Sequence, residues 1–279
     1  MESLKTLYLY GITDHPEIQA LLDGIQTPSP VRCLPIADLG ALVREVTLEE
    51  FGEDALQERL KDAKWLEEQV RNHAGVLETA MRFGTVIPMK FLTIFRTEER
   101  LLQSLLALLE TLHQLCGRLQ GKQEWGVKVF CDLKCIQEAV KVQNDTIRGI
   151  EAQLAGKPSG TAYLIRRQFE ELVRRESGLR LAVHLESICC RLFSEVQDTK
   201  FNPATPGPGD RPMVLNASLL IDKTCVTSLA KEVDALRQEY RPRGFAFELV
   251  GPFPPYSFSE LPARSAQGEA GKSEDAAHA

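Results

Sequence analysis

With 279 residues, the chain is longer than one average domain and has length for two. Hydrophobic residues make up 43% and charged residues 26%, which is enough apolar material for a sizeable core and excludes a disordered chain. A formal net charge of −6, with both signs interspersed as in Arg166-Arg167, Glu170-Glu171 and Arg174-Arg175-Glu176, excludes a general phosphate-binding surface and nucleic acid as the partner.

No stretch approaches the ~18–20 uninterrupted apolar residues of a membrane span. The opening residues Met1-Glu2-Ser3-Leu4-Lys5-Thr6 lead into strand-like sequence and show no secretory pattern. Cysteines number seven, an odd count without regular spacing, so a reducing, cytoplasmic setting is expected rather than a disulfide framework.

Leu7-Tyr8-Leu9-Tyr10-Gly11-Ile12 reads as a first strand ending in the turn chemistry of Thr13-Asp14-His15-Pro16. A short helix over 17–22 and strands over 31–34 and 40–45 follow, with Asp38-Leu39-Gly40 as the turn between the strands. A single long helix is predicted over 48–82, its buried stripe formed by Leu56, Leu60, Ala63, Leu66, Val70, Ala74, Leu77 and Met81 and its end marked by Gly84. The apolar run over 85–95 contains Pro88, which predicts an edge strand or a bend.

A second helix is predicted over 98–120. Leu101, Leu105, Leu108, Leu112, Leu115 and Leu119 form a heptad seam, and Leu102, Leu106 and Leu109 widen it towards a globular core helix. Packing inside its own domain is the preferred reading, with an intermolecular coiled coil or homo-oligomer as the alternative. Gly121-Lys122-Gln123 is the predicted domain junction.

Beyond it come a strand over 125–130 and helices over 133–154 and 161–196. A Pro/Gly loop over 202–212 leads to a strand over 213–222, a helix over 225–240 and a closing strand over 245–250. That order gives a β-α-β-α-β unit close to a ferredoxin-like split βαβ. Residues 263–279 are small and polar and are expected to be a disordered tail. The fold class is therefore α+β with two domains: an N-terminal mixed domain with long amphipathic helices over 1–120, and a C-terminal ferredoxin-like domain over 121–262.

No arrangement of residues points to catalysis, a cofactor or a metal. The five histidines form no His-Glu-x-x-His pair and no zinc spacing with cysteine. His73, near the apolar helix face beside Val70, Ala74 and Leu77, reads as a packing histidine, with a ligand or base role as the alternative. Cys131, Cys135, Cys189 and Cys190 read as small buried hydrophobes, a redox switch being the alternative. Gly271-Lys272-Ser273 lacks the upstream glycine of a phosphate loop, where Ala266 stands, and Gly156-Lys157-Pro158 loses an amide donor to proline. There is no Gly-x-Ser-x-Gly elbow.

Gly251-Pro252-Phe253-Pro254-Pro255-Tyr256-Ser257-Phe258 holds three prolines and three aromatics in eight residues, a stiff segment with large side chains. It loses little entropy on docking, so it either anchors on the protein's own surface or presents Phe253, Tyr256 and Phe258 to a partner.

These segments resemble the gas vesicle protein F/L family. The resemblance runs in order over residues 6–260: the opening strand from Leu7, His73-Ala74-Gly75-Val76-Leu77-Glu78, and the run from Gly84 to Phe95; then Trp125-Gly126-Val127-Lys128, Gly160-Thr161-Ala162-Tyr163-Leu164, Leu215-Asn216-Ala217-Ser218-Leu219-Leu220, and the closing run from Leu249 to Phe258. Phe253 stands where the family commonly has tryptophan, which keeps an aromatic and loses an indole donor.

The resemblance implies an α+β N-terminal domain, a modified ferredoxin-like C-terminal domain and a non-enzymatic accessory or minor structural role in gas vesicles. It also implies a partner, the small and very apolar major gas vesicle shell protein, with other accessory proteins possible, bound by a chaperone-like or nucleating factor. The other reading of the residues is a ferredoxin-like enzyme or small-ligand regulatory protein with an unrecognised pocket.

Overall fold

The computed structural model describes residues 5–154, 159–207, 209 and 211–261. The expected tail over 263–279 and both rejected phosphate-loop segments lie outside the described residues. Two compact units are present: the first runs to Glu124 and resumes at Pro252, and the second is Trp125–Gly251. The chain thus passes between units at 124/125 and again at 251/252, whereas the sequence reading drew one boundary at 120/121 and kept the closing segment with the second domain.

In the first unit, strand β1 (Lys5–Thr13) is followed by the short helix α1 (Gln19–Leu22) and the hairpin β2 (Val31–Ile36) and β3 (Leu39–Thr47). The hairpin turn is Ala37-Asp38, one position before the predicted turn, with Ala37 at φ +53°. Next come α2 (Leu48–Phe51), α3 (Glu53–Arg59), α4 (Ala63–Met81), β4 (Val86–Pro88), β5 (Ile94–Phe95), α5 (Glu98–Leu106) and α6 (Leu109–Leu119).

The sheet order is β2-β3-β1-β4, with β5 also pairing β1, and the β1 ladders are antiparallel. Pro88 sits in the edge strand β4, where its missing N–H leaves no ladder bond unmade. β1 is buried from Thr6 to Thr13, so both faces of the sheet are covered. Tyr8 and Tyr10 share one core with Trp65, Val76, Leu77 and Ala80 of α4, while the alternating Leu7 and Leu9 point to the other face.

The predicted long helix over 48–82 is three helices. Gly52 is extended and ends α2, and the Asp62 carboxylate starts α4 anew by accepting the Lys64 and Trp65 amides at 3.0 and 3.3 Å. The buried stripe is also rotated: α4 buries Trp65, Gln69, His73, Val76, Leu77 and Ala80, while Leu60, Ala63 and Val70 are exposed. The apolar pattern failed here because two polar residues on the buried face have partners across the sheet interface.

The helix over 98–120 is likewise two helices, α5 and α6, broken where Leu108 leaves helical geometry. All six seam leucines are nonetheless buried within the chain, which is the core reading and leaves no seam for a coiled coil. Gly11, beside the irregularity in the β1–β3 register, lies so close to β4 and α4 that an added Cβ would meet the Ile87 carbonyl and Leu77 Cδ2, each at 2.8 Å.

The second unit contains most of β6 (Lys122–Cys131), then α7 (Leu133–Gln143), α8 (Asp145–Leu154), α9 (Ser159–Leu192), β7 (Val196–Phe201), β8 (Met213–Asp222), α10 (Val226–Tyr240) and β9 (Phe245–Phe253). The helix expected over 133–154 breaks at Asn144, whose side-chain oxygen caps α8 through the Thr146 and Ile147 amides. The helix expected to reach 196 stops at Leu192, and β7 is a strand the sequence reading missed. The element order is therefore β-α-β-β-α-β rather than β-α-β-α-β, with strands arranged β7-β8-β6-β9. Val127, Val129, Leu219, Ile221, Ile188, Leu192, Val233 and Leu236 are among the residues of one core between sheet and helices.

Leu112 is wholly buried on α6, so Leu112→Ala is expected to cost about 2–5 kcal/mol. Urea unfolding would show this as a lowered midpoint. An unchanged midpoint with a loss of dimer instead would place the seam between chains.

Candidate partner-binding surface

The closing segment is fixed by the first unit. After Pro252 and Phe253, Pro254 and Pro255 are buried, and a short 3-10 turn over Tyr256–Phe258 is tied by the Phe258 N–H donating to the Pro255 carbonyl at 3.0 Å. The buried Glu124 carboxylate clamps the turn, accepting the Ser257 amide at 2.9 Å and the Ser257 hydroxyl at 2.6 Å. Nothing in the sequence marks that pairing, because the two residues are 133 positions apart.

Of the three aromatics expected to meet a partner, the structure separates one from the other two. Phe258 is 1% exposed and anchors the turn in the core, whereas Phe253 and Tyr256 are 41% and 42% exposed. Pro252 lines a hollow of about 370 Å³ with Glu78, Met81, Arg82 and Gln123, and the Tyr256 ring stacks on His73 at 6.3 Å and 21°. Pro252 thus lies near the end of α4 and Tyr256 at its middle, with Phe253, the last residue of β9, between them in sequence. Phe83, just past α4, is a further exposed ring of this unit.

Beneath Tyr256 lies the reason α4 turns polar residues inward. The Leu92 N–H donates to Tyr8 Oη at 3.1 Å, so the Tyr8 hydroxyl proton is directed to His73 Nδ1 at 2.8 Å. That places the imidazole proton on Nε2, which faces the Met89 backbone in a geometry too loose for a full hydrogen bond. Arg44, 2% exposed, donates to Gln69 Oε1 at 3.2 Å and lies over the rings of Tyr8 and Phe51 at 6.0 and 5.6 Å. Trp65 Nε1 donates to Glu50 at 3.0 Å. Ring contacts join Tyr8, Tyr10, Phe51, His73, Phe91 and Tyr256 into one cluster.

His73 is thus the packing histidine of the sequence reading, and burial pulls its imidazole down to about 4, the Met89 backbone offsetting part of that. Burial also raises the Tyr8 and Tyr10 phenols and holds the Cys131 thiol up at about 11. Cys131 is buried, but Cys135 and Cys190 are exposed, contrary to their reading as buried hydrophobes. Among the described residues no group of three His, Cys, Asp or Glu side chains is placed to hold a metal ion, and no helix is long and apolar enough to cross a membrane.

Because His73 is neutral when folded and charges more readily when unfolded, its contribution is present above pH 6.5 and lost as pH falls towards 4. That contribution is roughly 3 kcal/mol for this buried ring. His73→Phe is expected to be less stable at neutral pH, since Tyr8 loses its acceptor, but to lose less stability than the parent between pH 6.5 and 4.5. Equal acid sensitivity in urea titrations of the two proteins would refute this role for His73.

Comparison with known proteins places this architecture. The family described as gas vesicle synthesis protein GvpL/GvpF matches residues 6–260. Gas vesicle protein L of a Streptomyces species is 27% identical over 274 residues, covering 94% of this chain and 95% of the relative. Gas vesicle protein F of the same source is 26% identical, covering 91% and 99% respectively. In fold, the chain is similar to the crystal structure of the gas vesicle protein GvpF from Anabaena, with a TM-score of 0.69 at 22% identity over 92% of this chain and 99% of that one. With the match running through both units, the chain belongs to the GvpL/GvpF family of gas vesicle synthesis proteins.

Proposed function

We propose that this protein serves gas vesicle formation without catalysis, by binding the small apolar major shell protein as a chaperone-like or nucleating factor, with other accessory proteins as further partners. Its place is the cytoplasm and the growing vesicle. The observation that carries the reading is the presentation of Phe253 and Tyr256: two exposed aromatic side chains on a segment already immobilised by buried Pro254, Pro255 and Phe258 and by the Glu124 clamp. A rigid aromatic loses little entropy on binding, and such residues dominate interface energetics. An apolar subunit aggregates unless a partner covers it, and such a surface is suited to covering it.

Co-expression with the shell protein, followed by pull-down and titration, tests the proposal. Phe253→Ala and Tyr256→Ala together are expected to weaken binding at least about tenfold, because hot-spot truncations commonly exceed 1.4 kcal/mol. A circular dichroism melt should show both units intact. Failure of the unaltered protein to capture the shell protein, together with normal vesicles in its absence, would sink the reading.

A further inference from the structure

Several outer strands of the two sheets have backbone groups taken by side chains, and others are very short. On β2, the Gln19 side-chain amide imitates a backbone peptide, its Nε2 donating to the Val31 carbonyl at 3.0 Å and its Oε1 accepting the Cys33 N–H at 2.9 Å. On β9, Arg237 Nε donates to the Phe247 carbonyl at 3.1 Å. On β7, Asp198 Oδ1 takes the Thr199 amide at 2.8 Å. Beside β1 the outer strands are short: β4 has three residues and ends in Pro88, and β5 has two. These contacts and short lengths disfavour strand addition, one of the common ways to bind a polypeptide.

The second unit offers a different mode. Between the end of α7 and the middle of α9 lies a groove of about 490 Å³. Val140 forms part of its floor, while Leu179 and Val183, one helical turn apart on α9, are 59% and 63% exposed along its wall. Such an i, i+4 ridge beside a groove is the surface into which a second helix packs. The lining carries one charge of each sign, unequally partnered. Glu176 at the rim is paired with Arg175 at 3.1 Å, but Arg180 has no carboxylate partner among the described residues. Arg180 and Arg243 both place positive charge towards His184 at the far end, opposed there by Glu239.

We propose that this groove receives an amphipathic helix of the protein partner, with the apolar stripe of that helix on Val140, Leu179 and Val183 and a flanking carboxylate on Arg180. The inference rests on the reading that the chain works by binding a protein, and it adds the class of element recognised and a second surface for it. The unpaired guanidinium selects the acidic flank: an acidic helix gains a charge-assisted hydrogen bond there, and a basic one meets repulsion.

The test uses the full chain and two fluorescein-labelled amphipathic helical peptides of roughly 20 residues, long enough to hold a helix, that share one apolar stripe and differ in Glu or Lys flanks. Fluorescence anisotropy is expected to show the Glu peptide binding at least about tenfold more tightly than the Lys peptide. Arg180→Glu should reverse that order, and Leu179→Asp with Val183→Asp should abolish binding of both peptides with the thermal melt unchanged. Binding that ignores these substitutions, or no preference between peptides, overturns the inference. So does light scattering that shows a dimer lost in the double variant, since a second copy would then fill the groove. Pull-down of the shell protein separates the two proposals. Capture undiminished by Leu179→Asp and Val183→Asp overturns the groove and leaves the functional reading standing. Glu-peptide binding without any capture of the shell protein supports the groove and overturns that reading.

Discussion

The first unit depends on a polar contact inside an otherwise apolar interface: Gln69 and His73 of α4 reach Arg44 and Tyr8 of the sheet. Polar groups buried without partners are costly, so these four side chains permit only one azimuth and one axial position of α4 over β1 and β3. An apolar stripe alone would tolerate rotation of the helix by a residue. The position of α4 in turn determines where Tyr256 can stack and where the hollow beside Pro252 opens, so Tyr256 takes its place from the buried histidine beneath it. Arg44 is unusual in this network, a buried guanidinium held by an amide oxygen and two ring faces rather than by a carboxylate. Such a cation fixes specificity more than it adds stability.

Much of this was legible in the sequence where periodicity and burial agree. The seam from Leu101 to Leu119 is buried as read, because its spacing matches one helix face and nothing polar intrudes. Pro88 marked an edge strand for a local covalent reason that no tertiary contact can override. Gas vesicle kinship was visible in the ordered series of segments over residues 6–260, and the family comparison covers the same span.

What could not be read has two physical origins. Helix breaks at Gly52, Asp62, Leu108 and Asn144 preserve overall periodicity, so a stripe count runs through them, although the Asp62 and Asn144 caps are local signals. The polar partners are a different matter: Tyr8 and His73 lie 65 positions apart, and Glu124 and Ser257 lie 133 apart. No local pattern encodes such pairs. β7 escaped for a third reason, since Val196–Phe201 alternates only weakly and carries Asp198 and Lys200, charges that suit an edge strand and disguise it.

The partly occupied strand edges and the exposed side chains are complementary features of one design. For the proposed role an open strand edge would be a hazard, because it would pair with any extended segment regardless of its side chains. Backbone pairing carries little sequence information, whereas side-chain surfaces discriminate. Gln19 on β2 and Arg237 on β9 take backbone groups that an added strand would use, which makes that indiscriminate route less available. In the proposed reading, recognition falls to Phe253 and Tyr256 on one unit and to the Leu179–Val183 ridge with Arg180 on the other. In each patch apolar area would supply attraction, while a fixed ring orientation or an unpaired charge would supply selectivity. Side-chain contacts of the proposed kind dissociate singly, whereas a paired strand would have to break a whole ladder of hydrogen bonds.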